Sequence, residues 1–399
     1  MLQIDSLEKR GIYSDLLRKF QREGNHVYIV YPLERREGMQ TSATIINGVR
    51  YLGVKTLNLQ KTSVWEKGIG QLLIQYQFKN AIKKEWPAEH FDLIVYSTPP
   101  ITLVGVIQFL KRRNPNAKSY LLLKDIFPQN AVDIGMMTKS GLKGFLYRFF
   151  RKKEKKLYAI SDNIGCMSPA NVKYVLAHNP EISSDRVEVA PNSIELQNDK
   201  YEIGQEKAER YYIRKKYNLS TDKPIFIYGG NLGKPQGIDF LIECLDANKN
   251  REDCYFVIVG SGTEYKKLDA WASSNKGNSV KVMSSLPKQD YDMLVKYCDV
   301  GMIFLDHRFS IPNYPSRLLS YLENMMPVIC ATDPNTDLGE IAEANGFGYW
   351  CESNSVGAFT SILDKMVHAD RKTMGEKGYE FLCNNYLVEN TYKAIMSHV

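Results

Sequence analysis

The segment Pro224–Leu245, PIFIYGGNLGKPQGIDFLIECL, constrains the fold more than any other stretch of the chain. It opens with a short apolar run, Pro224–Tyr228, which predicts a buried strand. A glycine-rich turn follows at 229–233, and apolar residues then recur at helical spacing from Ile238. A strand, such a turn and a helix in succession can bring backbone N–H groups up to a phosphate. The same pattern also suits an ordinary strand-to-helix connection, and this stretch alone leaves both interpretations open.

Short apolar strands alternate with helices in both halves of the chain, which indicates parallel sheets with helical crossovers. A length of 399 residues suggests about two domains. The polar stretch that begins at Pro191-Asn192-Ser193 and runs to Glu206 predicts the linker between them. The sequence therefore predicts an α/β protein with two Rossmann-like domains that face one another across a ligand cleft.

Composition excludes several classes of protein. Lys and Arg exceed Asp and Glu by 52 − 45 = 7, which suits an anionic ligand or membrane surface, and no nucleic-acid-binding signature accompanies this excess. The seven cysteines form no CxxC pair, so we expect buried thiols in a reducing compartment. The longest apolar stretch, Ile101–Leu110, is too short to span a bilayer. These features predict a cytoplasmic protein.

Polar residues follow two strands of the first half. The strand Asp92–Tyr96 is followed by Ser97 and Thr98, and the strand Ser119–Leu123 is followed by Lys124 and Asp125. Open α/β sheets place their ligands at these carboxyl ends. Asp125 is therefore a candidate catalytic residue, with a capping carboxylate as the alternative.

The segment Gly141–Ile160 predicts an aromatic and basic amphipathic helix. Its apolar residues are Leu142, Phe145, Leu146, Phe149 and Phe150, and its basic residues are Arg148, Arg151, Lys152, Lys153, Lys155 and Lys156. Such a helix can lie on an anionic membrane, or it can pack its apolar side on a core and expose the cations to water. Both interpretations remain open at this point.

Near the amino terminus, Ser6–Gln21 predicts a helix and His26–Val30 a strand. A parallel layer usually begins with a strand before its first helix. Only Leu2-Gln3-Ile4 is available here, so we expect a shortened first strand.

Several motifs together resemble a known enzyme family. GGNLGKPQGIDFLIECL, FVIVGSG and IPNYPSRLLSYLENMMPVICA resemble, in order and spacing, the C-terminal half of a retaining GT-B glycosyltransferase of family 4. GIYSDLLRKFQREGNHVYIVYP, DLIVYSTPP and LLLKDIFPQ resemble the acceptor domain of the bacterial members that build O-antigen and capsule repeats, including the N-acetyl-fucosamine transferase group. The resemblance covers nearly the whole chain.

The resemblance implies a GT-B fold with an acceptor domain at 1–195, a nucleotide-sugar domain at 196–375 and a C-terminal segment, 376–399, that crosses back to the first domain. It implies transfer of a sugar, of the N-acetylated amino or deoxy class, from a UDP-sugar with retention of configuration. The acceptor would be a polyprenyl-diphosphate-linked sugar, which requires peripheral contact with the inner face of the membrane. Neither a cofactor nor a metal ion would be needed.

The site residues follow from the same resemblance. The diphosphate would lie against Gly230, Asn231, Gly233, Lys234 and Gln236, and the nucleobase would lie near Gly260, Gly262, Ser285 and Leu286. The helix after Pro315 would supply Ser316, Arg317, Ser320 and Glu323. Lys234, Arg317 and the dipole of this helix would stabilise the leaving group without a metal. The alternative for Arg317 is a surface salt bridge. Gly11, Tyr13, Thr98 and Lys124 would line the acceptor side, with Asp125 near the reacting hydroxyl.

The sequence departs from the family pattern in its carboxylates. Such enzymes often carry two glutamates, and this sequence has Pro312 and Ser320 at the corresponding positions. Glu323 is the nearest carboxylate that could replace them. Two alternatives to transfer therefore stay open. One is a GT-B epimerase that uses Asp306 and His307, and the other is a nucleotide-sugar-binding partner without catalysis.

Overall fold

The computed structural model describes residues 4, 6–59, 62, 64–197, 203–275 and 279–399. It divides into two compact units. Unit 1 consists of Met1–Glu195 together with Tyr386–Val399, and unit 2 consists of Leu196–Asn385. Leu2 and Gln3, which the sequence assigns to a shortened first strand, lie outside the described residues.

Unit 1 alternates strands and helices along most of its length. Its elements are α1 (Ile12–Arg22), β1 (Tyr28–Glu34), β2 (Ser42–Ile46), β3 (Val49–Thr56), α2 (Val64–Glu85), β4 (Leu93–Ser97), α3 (Val104–Arg113), β5 (Lys118–Leu123), α4 (Gln129–Asp133), α5 (Gly141–Ile160), β6 (Asn163–Cys166), α6 (Pro169–His178) and β7 (Val187–Val189). Strands β4, β5, β6 and β7 form a parallel sheet in that order. In a second sheet β3 lies between β1, to which it is parallel, and β2, to which it is antiparallel.

Unit 2 continues the alternation. Its elements are α7 (Ile203–Lys216), β8 (Ile225–Asn231), α8 (Ile238–Asn248), β9 (Tyr255–Ser261), α9 (Tyr265–Ser274), β10 (Val280–Ser284), α10 (Lys288–Lys296), β11 (Val300–Phe304), α11 (Arg317–Glu323), β12 (Val328–Thr332), α12 (Leu338–Ala344), β13 (Gly348–Glu352), α13 (Val356–His368) and α14 (Arg371–Asn385). The strands form one parallel sheet in the order β10-β9-β8-β11-β12-β13.

Strands β8, β9, β11 and β12 are apolar along almost their whole length because helices cover both faces of this sheet. Phe226, Phe256 and Phe304 are fully buried in a core that α8 and α13 also line. In this topology the carboxyl ends of all six strands meet at one edge. The strand order changes direction beside β8, because β9 and β10 were added on one side of it and β11, β12 and β13 on the other. Open α/β sheets bind their ligands at such a switch point.

The chain returns to unit 1 at Tyr386, later than the predicted start of the crossing segment at 376. Helix α14 stays in unit 2 because its small and apolar residues pack there. A Cβ on Gly375 would lie 1.8 Å from the carbonyl oxygen of Met325, and Leu382 is fully buried. The last helix, α15 (Val388–Met396), packs against α1 in unit 1.

Two element boundaries differ from the sequence prediction. Helix α1 begins at Ile12 rather than Ser6, since Gly11 is extended (φ 174°, ψ 157°) and ends the preceding bend. Strand β8 continues through Gly229 and Gly230 to Asn231, where the sequence predicts a turn. These residues pair in parallel with Val259–Ser261 of β9, so the glycines extend the sheet before the chain turns.

Candidate active site

The glycines at the carboxyl edge of the unit 2 sheet allow two chain segments to touch. A Cβ on Gly260 would lie 2.0 Å from the carbonyl oxygen of Gly230, and one on Gly262 would lie 2.2 Å from that of Leu232. Gly230 itself has φ +115°, which favours glycine. Gly260 and Gly262, predicted as base-contacting residues, therefore have a structural reason to be glycine that needs no ligand.

The loop after β8 is held by side-chain amides. Gln236 Oε1 accepts from Asn231 Nδ2 at 2.9 Å and from the Gly233 N–H at 3.1 Å. Residues Lys234–Gln236 form a 3-10 turn, and the Pro235 carbonyl accepts from the N–H of Asp306, just after β11. Lys234 is exposed on this turn. The structure therefore places Lys234 on a fixed loop between the ends of β8 and β11.

Arg317 is the cation that the structure places most firmly at this edge. Its central guanidinium carbon lies 4.2 Å from the centre of the Tyr228 ring, and a Cβ on Gly230 would lie 3.9 Å from its Nη2. Its Nη1 is buried without a hydrogen-bond partner. Among the described residues no carboxylate lies within salt-bridge distance of it. The alternative of a surface salt bridge is therefore wrong, and the guanidinium has unused donor capacity for an anion.

Tyrosines surround Arg317, and sequence reasoning missed them. The Tyr228 hydroxyl donates to the Asn231 carbonyl at 2.8 Å. The buried Tyr321 hydroxyl accepts from the Gly229 N–H and donates to the Ile227 carbonyl, both at 3.3 Å. Burial raises the pKa of Tyr291 to about 12. A Cβ on Gly229 would overlap the Tyr291 ring, so this glycine makes room for the tyrosine.

Helix α11 brings together only some of its predicted site residues. Ser316, at its N-cap, is exposed and its side chain makes no capping hydrogen bond. Ser320 lies one turn after Arg317. Glu323 ends the helix, about 9 Å along the axis from Arg317, and its Oε1 accepts from the Gln197 N–H at 3.1 Å. The structure therefore does not bring Glu323 to Arg317, because a crossover helix carries the chain away from the ligand edge.

Helix α11 is also too short for the helix dipole that the sequence analysis expects at the diphosphate. With seven residues, α11 is less than two turns long, and a helix this short has too few aligned peptide groups to supply the expected dipole. The guanidinium of Arg317 accounts for the positive charge that α11 contributes at this edge.

The loop after β10 holds the other predicted donor residues. Ser285 is exposed and Leu286 is half-buried, between β10 and α10. Because β10 and β9 lie on one side of β8, and β11 and β12 on the other, these residues flank the site opposite the loop that leads to Arg317.

The residues that an epimerase would require are otherwise engaged. Asp306 accepts from Arg308 Nε at 2.8 Å and from Nη2 at 2.7 Å. Burial acts to raise the pKa of Asp306, but the Arg308 hydrogen bonds hold it below its ordinary value. His307 Nδ1 lies 3.9 Å from the same carboxylate. Within the described ranges no group of three His, Cys, Asp or Glu side chains is positioned to hold a metal ion.

In unit 1, Thr98, Lys124 and Asp125 meet at the carboxyl edge of the β4–β7 sheet. The Thr98 hydroxyl accepts from the Lys124 N–H at 3.2 Å and donates to the Asp125 carbonyl at 3.1 Å. Lys124 Nζ donates to the Ala190 carbonyl at 3.2 Å. Burial lowers the pKa of Lys124 to about 7 and raises the pKa of Asp125 to about 6. Both groups therefore change charge near neutral pH, which suits acid–base chemistry.

Asn130 is a further residue of this cluster that sequence reasoning missed. Its Nδ2 donates to Asp125 Oδ1 at 2.7 Å, and its Oδ1 is buried without a partner. The Asp125 carboxylate also accepts from the backbone N–H of Ile126. The N-cap of α4 is Pro128, so the structure does not place Asp125 at the capping position of this helix. Asn130 thus fixes the direction of the carboxylate.

Gly11 and Tyr13 belong to the start of α1. The Gly11 N–H donates to Asp15 Oδ1 at 3.0 Å, so its amide is engaged in the helix start. The Tyr13 hydroxyl is hydrogen-bonded to Ser97 at the end of β4, and burial raises its pKa. Through this contact the structure places Tyr13 at the same sheet edge as Thr98, in agreement with its predicted neighbourhood.

Helix α5 has the predicted bounds, but its apolar residues divide between two sides. Phe150, Leu157 and Tyr158 are buried, whereas Phe145 and Leu146 are 70% and 46% exposed. A groove of about 600 Å³ runs along the outer side and is lined by Tyr147, Arg148, Arg151, Lys152, Lys155, Lys156, Ala159, Glu181, Ile182 and Arg186. The side chain of Leu142 lies outside the described residues. The part of the chain described contains no helix with the length and hydropathy of a bilayer span.

Comparison with known proteins identifies the family of unit 2. Residues 209–381 match the profile of the family described as glycosyl transferases group 1. Unit 2 is a glycosyl transferases group 1 domain. This match confirms the prediction that the chain is a glycosyltransferase.

Relatives cover most of the chain. The probable glycosyltransferase WbjE of Pseudomonas aeruginosa is 22% identical over 377 residues, which span 94% of this chain and 89% of WbjE. WcaI of Escherichia coli (strain K12), named as a colanic acid biosynthesis glycosyl transferase, is 22% identical over 297 residues, which span 73% of this chain and 70% of WcaI. The predicted resemblance to the bacterial transferases is thereby confirmed.

Solved structures show the same fold. Sucrose-phosphate synthase from Thermosynechococcus elongatus superposes with a TM-score of 0.73 at 14% identity, over 96% of this chain and 91% of its own. Anabaena HepE in complex with UDP superposes with a TM-score of 0.61 at 13% identity, over 87% of this chain and 85% of the HepE chain. The glycosyltransferase has the predicted GT-B fold.

Proposed function

We propose that this glycosyltransferase moves a sugar, of the N-acetylated amino or deoxy class, from a UDP-sugar to a polyprenyl-diphosphate-linked acceptor. The transfer would retain the anomeric configuration and would serve the synthesis of bacterial capsule or O-antigen polysaccharide. The named role of WcaI in colanic acid biosynthesis supports the polysaccharide class. The complex of HepE with UDP supports the nucleotide.

A single observation carries the donor half of this proposal: the unpartnered Nη1 of Arg317, held over Tyr228 beside Gly230. A departing nucleoside diphosphate gains negative charge in the transition state, and a preorganised guanidinium stabilises that charge. Lys234, exposed on the neighbouring turn, would add a second cation. Ser316 would hydrogen-bond a phosphate oxygen, and Ser285 and Leu286 would contact the nucleoside.

On the acceptor side, Asp125 would orient the acceptor hydroxyl and draw its proton. Its raised pKa, about 6, leaves it ionised at neutral pH yet more basic than an ordinary aspartate. Lys124, with a pKa of about 7, would lie near the acceptor diphosphate, whose charge would favour its protonated form. Thr98 holds both residues in place, and Tyr13 would pack against the acceptor sugar.

The outer side of α5 would contact the membrane that holds the acceptor. Phe145 and Leu146 expose apolar surface, and Arg148, Lys152 and Lys156 follow at four-residue spacing, so that they lie along one side of the helix. An aromatic and basic surface of this kind suits an anionic bilayer. Contact would be peripheral, at the inner face.

Thermal shift with a panel of nucleotide sugars identifies the donor, because a bound ligand stabilises the folded state. Release of UDP is then measured with and without a polyprenyl-diphosphate-linked saccharide. We expect release to require the acceptor, to persist in EDTA and to fall about a hundredfold in Arg317→Ala. Rapid release without acceptor would indicate hydrolysis or epimerisation and would contradict transfer. Loss of activity in EDTA that Mg²⁺ or Mn²⁺ restores would contradict metal independence.

A further inference from the structure

Strand β2 forms an open edge of a sheet in unit 1. The sheet order is β1-β3-β2, and among the described residues no strand pairs with the outer side of β2. All residues of Ser42–Ile46 are exposed, and Ile45 is 67% exposed. The strand pairs with β3 in one continuous register, without a bulge. It therefore presents a regular row of backbone N–H and carbonyl groups on which another strand could pair.

This edge lacks the features that usually prevent strand edges from pairing. Natural proteins protect such edges with charged side chains, proline, bulges or a covering segment. From Gly38 to Val49 the sequence contains neither a charged residue nor proline. Thr44, Ile45 and Ile46 are β-branched and favour a strand. An exposed, uncharged and strand-forming edge of this kind is a surface for association.

The hairpin turn shows which residues of β2 bond to β3. Asn47 and Gly48 have φ values of 49° and 80°, as in a type I′ turn. Such a turn closes on a hydrogen bond between the Ile46 carbonyl and the Val49 N–H. The hydrogen-bonded positions of an antiparallel pair alternate from there along the strand.

This alternation directs the backbone groups of Ala43 and Ile45 away from β3. The partner of Ile45 across the ladder is Arg50. The Arg50 N–H donates to the Val27 carbonyl at 3.0 Å, on the side of β1, and so is not used toward β2. Ala43 and Ile45 are therefore the positions at which a further strand would bond.

The outward groups of β2 are complementary to those of a second β2. If two copies lie antiparallel with Thr44 opposite Thr44, Ala43 of each copy lies opposite Ile45 of the other. Both of these facing positions direct their N–H and carbonyl groups outward, so each such pair exchanges both of its hydrogen bonds. The arrangement has two-fold symmetry, the commonest symmetry of homo-oligomers.

Opposite charges stand at the two ends of the hairpin. At the start of β2, Lys55 Nζ donates to Gln40 Oε1 at 3.2 Å, and at its end Glu8 Oε1 accepts from Asn47 Nδ2 at 3.4 Å. Lys55 and Glu8 are both exposed. In an antiparallel pair the start of one β2 meets the end of the other. Lys55 of each copy would then lie near Glu8 of the other, which favours a second copy of this chain over an unrelated strand.

We propose that the outer edge of β2 binds β2 of a second copy of this chain, antiparallel and in a register centred on Thr44. The two three-stranded sheets then form one continuous sheet across a two-fold axis. The exposed side chain of Ile45 is covered by the partner strand. This inference holds whichever sugar and acceptor the enzyme uses, and it does not depend on the proposed function.

Sedimentation velocity of the full chain tests the proposal. A strand pair makes a small interface, so the protein is measured from about 1 to 100 μM, where a weak dimer should form. Ile45→Lys places a charge at the centre of the edge, and Ala43→Pro removes an outward N–H without removing a bond to β3. In both variants we expect the Kd of the dimer to rise at least about tenfold. The matched control is Ile69→Lys, at a 51% exposed isoleucine of α2, and should dimerise as the parent does.

An exchange of charges tests the identity of the partner. Lys55→Glu and Glu8→Lys should each raise the Kd of the dimer about tenfold, since two-fold symmetry changes two contacts at once. The variant with both substitutions should return to the parental Kd, because opposite charges face each other again. Only pairing between copies predicts this recovery, since the two residues lie at opposite ends of one hairpin.

Each outcome supports or overturns the inference. A parent protein that stays monomeric at the highest concentration overturns it, and the edge is then open or covered by a different chain. A dimer that persists unchanged in Ile45→Lys uses another surface and also overturns it. If Ala43→Pro does not fold, Ile45→Lys decides alone, because a lysine at this exposed position leaves the core intact. Hydrogen exchange should show the Ala43 and Ile45 amides protected in the dimer, and fast exchange of both would contradict the register.

Discussion

The guanidinium of Arg317 stacks on the ring of Tyr228, with 4.2 Å between its central carbon and the ring centre. Tyr228 lies on β8, and its hydroxyl donates to the carbonyl of Asn231 on the same strand, which fixes the plane of the ring. The stacked ring holds the arginine side chain in one direction before a ligand arrives. Binding then costs less conformational entropy, so this contact favours capture of a diphosphate.

The glycine at position 260 is required by packing, and its replacement should reduce stability. In Gly260→Ala the new Cβ would lie 2.0 Å from the carbonyl oxygen of Gly230, so the backbone of β8 or β9 must move. We expect a loss of about 3 kcal/mol in the free energy of unfolding, measured by urea denaturation. Gly357→Ala on α13 is the control, because no atom lies within 4 Å of its added Cβ. A stable Gly260→Ala variant would contradict this role.

Asp125→Asn should separate a catalytic role from a structural one. Burial raises the pKa of Asp125 to about 6, above the value of about 3.9 in an unfolded chain. Between these two values the folded state holds more protons than the unfolded state, so this residue makes stability fall as pH rises from about 4 to 6. In the asparagine variant the free energy of unfolding should not show this decrease with pH. Above pH 6 the variant should be at least as stable as the parent.

The same variant should lose activity. We expect kcat to fall about a hundredfold, as for loss of a general base, while the Kd of UDP is unchanged. Urea denaturation at pH 4, 6 and 7 gives the stability, and UDP release gives kcat. Lower stability at pH 7 together with an unchanged kcat would show that Asp125 only supports the fold.

Charge reversal on α5 tests the membrane surface. Arg148, Lys152 and Lys156 are the cations to change, since Lys155 already pairs with Glu181 at 3.0 Å and Lys153 lies over the Phe149 ring. Each basic residue contributes about 1 kcal/mol near an anionic bilayer, so replacing all three by Glu should weaken binding more than a hundredfold. Sedimentation with phosphatidylglycerol vesicles at low salt measures the effect, and UDP binding should not change.

The matched control for α5 carries the same change of charge on unit 2. It replaces Lys365, Lys372 and Lys377, all exposed on α13 and α14, by Glu. This variant should bind vesicles as the parent does. Equal losses of vesicle binding in the two variants would mean that only the net charge of the protein matters. If the parent protein does not bind the vesicles, α5 is an ordinary helix with a solvated basic side.

The sequence predicted elements well where local periodicity decides them. Helix α5 spans Gly141–Ile160 as predicted, and β5 differs from its predicted range by one residue. What the sequence could not show depends on contacts between distant residues. Tyr321 meets Gly229 across 92 positions, and no local pattern indicates that a tyrosine completes the pocket of Arg317. The spacing of Glu323 suggested a ligand contact, but spacing does not show which end of a crossover helix faces the site.

The most direct test of the central claim is the affinity for UDP compared with that for uridine, measured by isothermal titration on the parent protein and on Arg317→Ala. A charge-assisted hydrogen bond to a phosphate contributes about 1.5–3 kcal/mol, which corresponds to a tenfold to hundredfold change in Kd. If Arg317 holds the diphosphate, the Kd of UDP should rise by that factor in the variant, and the Kd of uridine should stay at its parental value. An unchanged affinity for UDP in Arg317→Ala would contradict the assignment of this edge of unit 2 as the donor site.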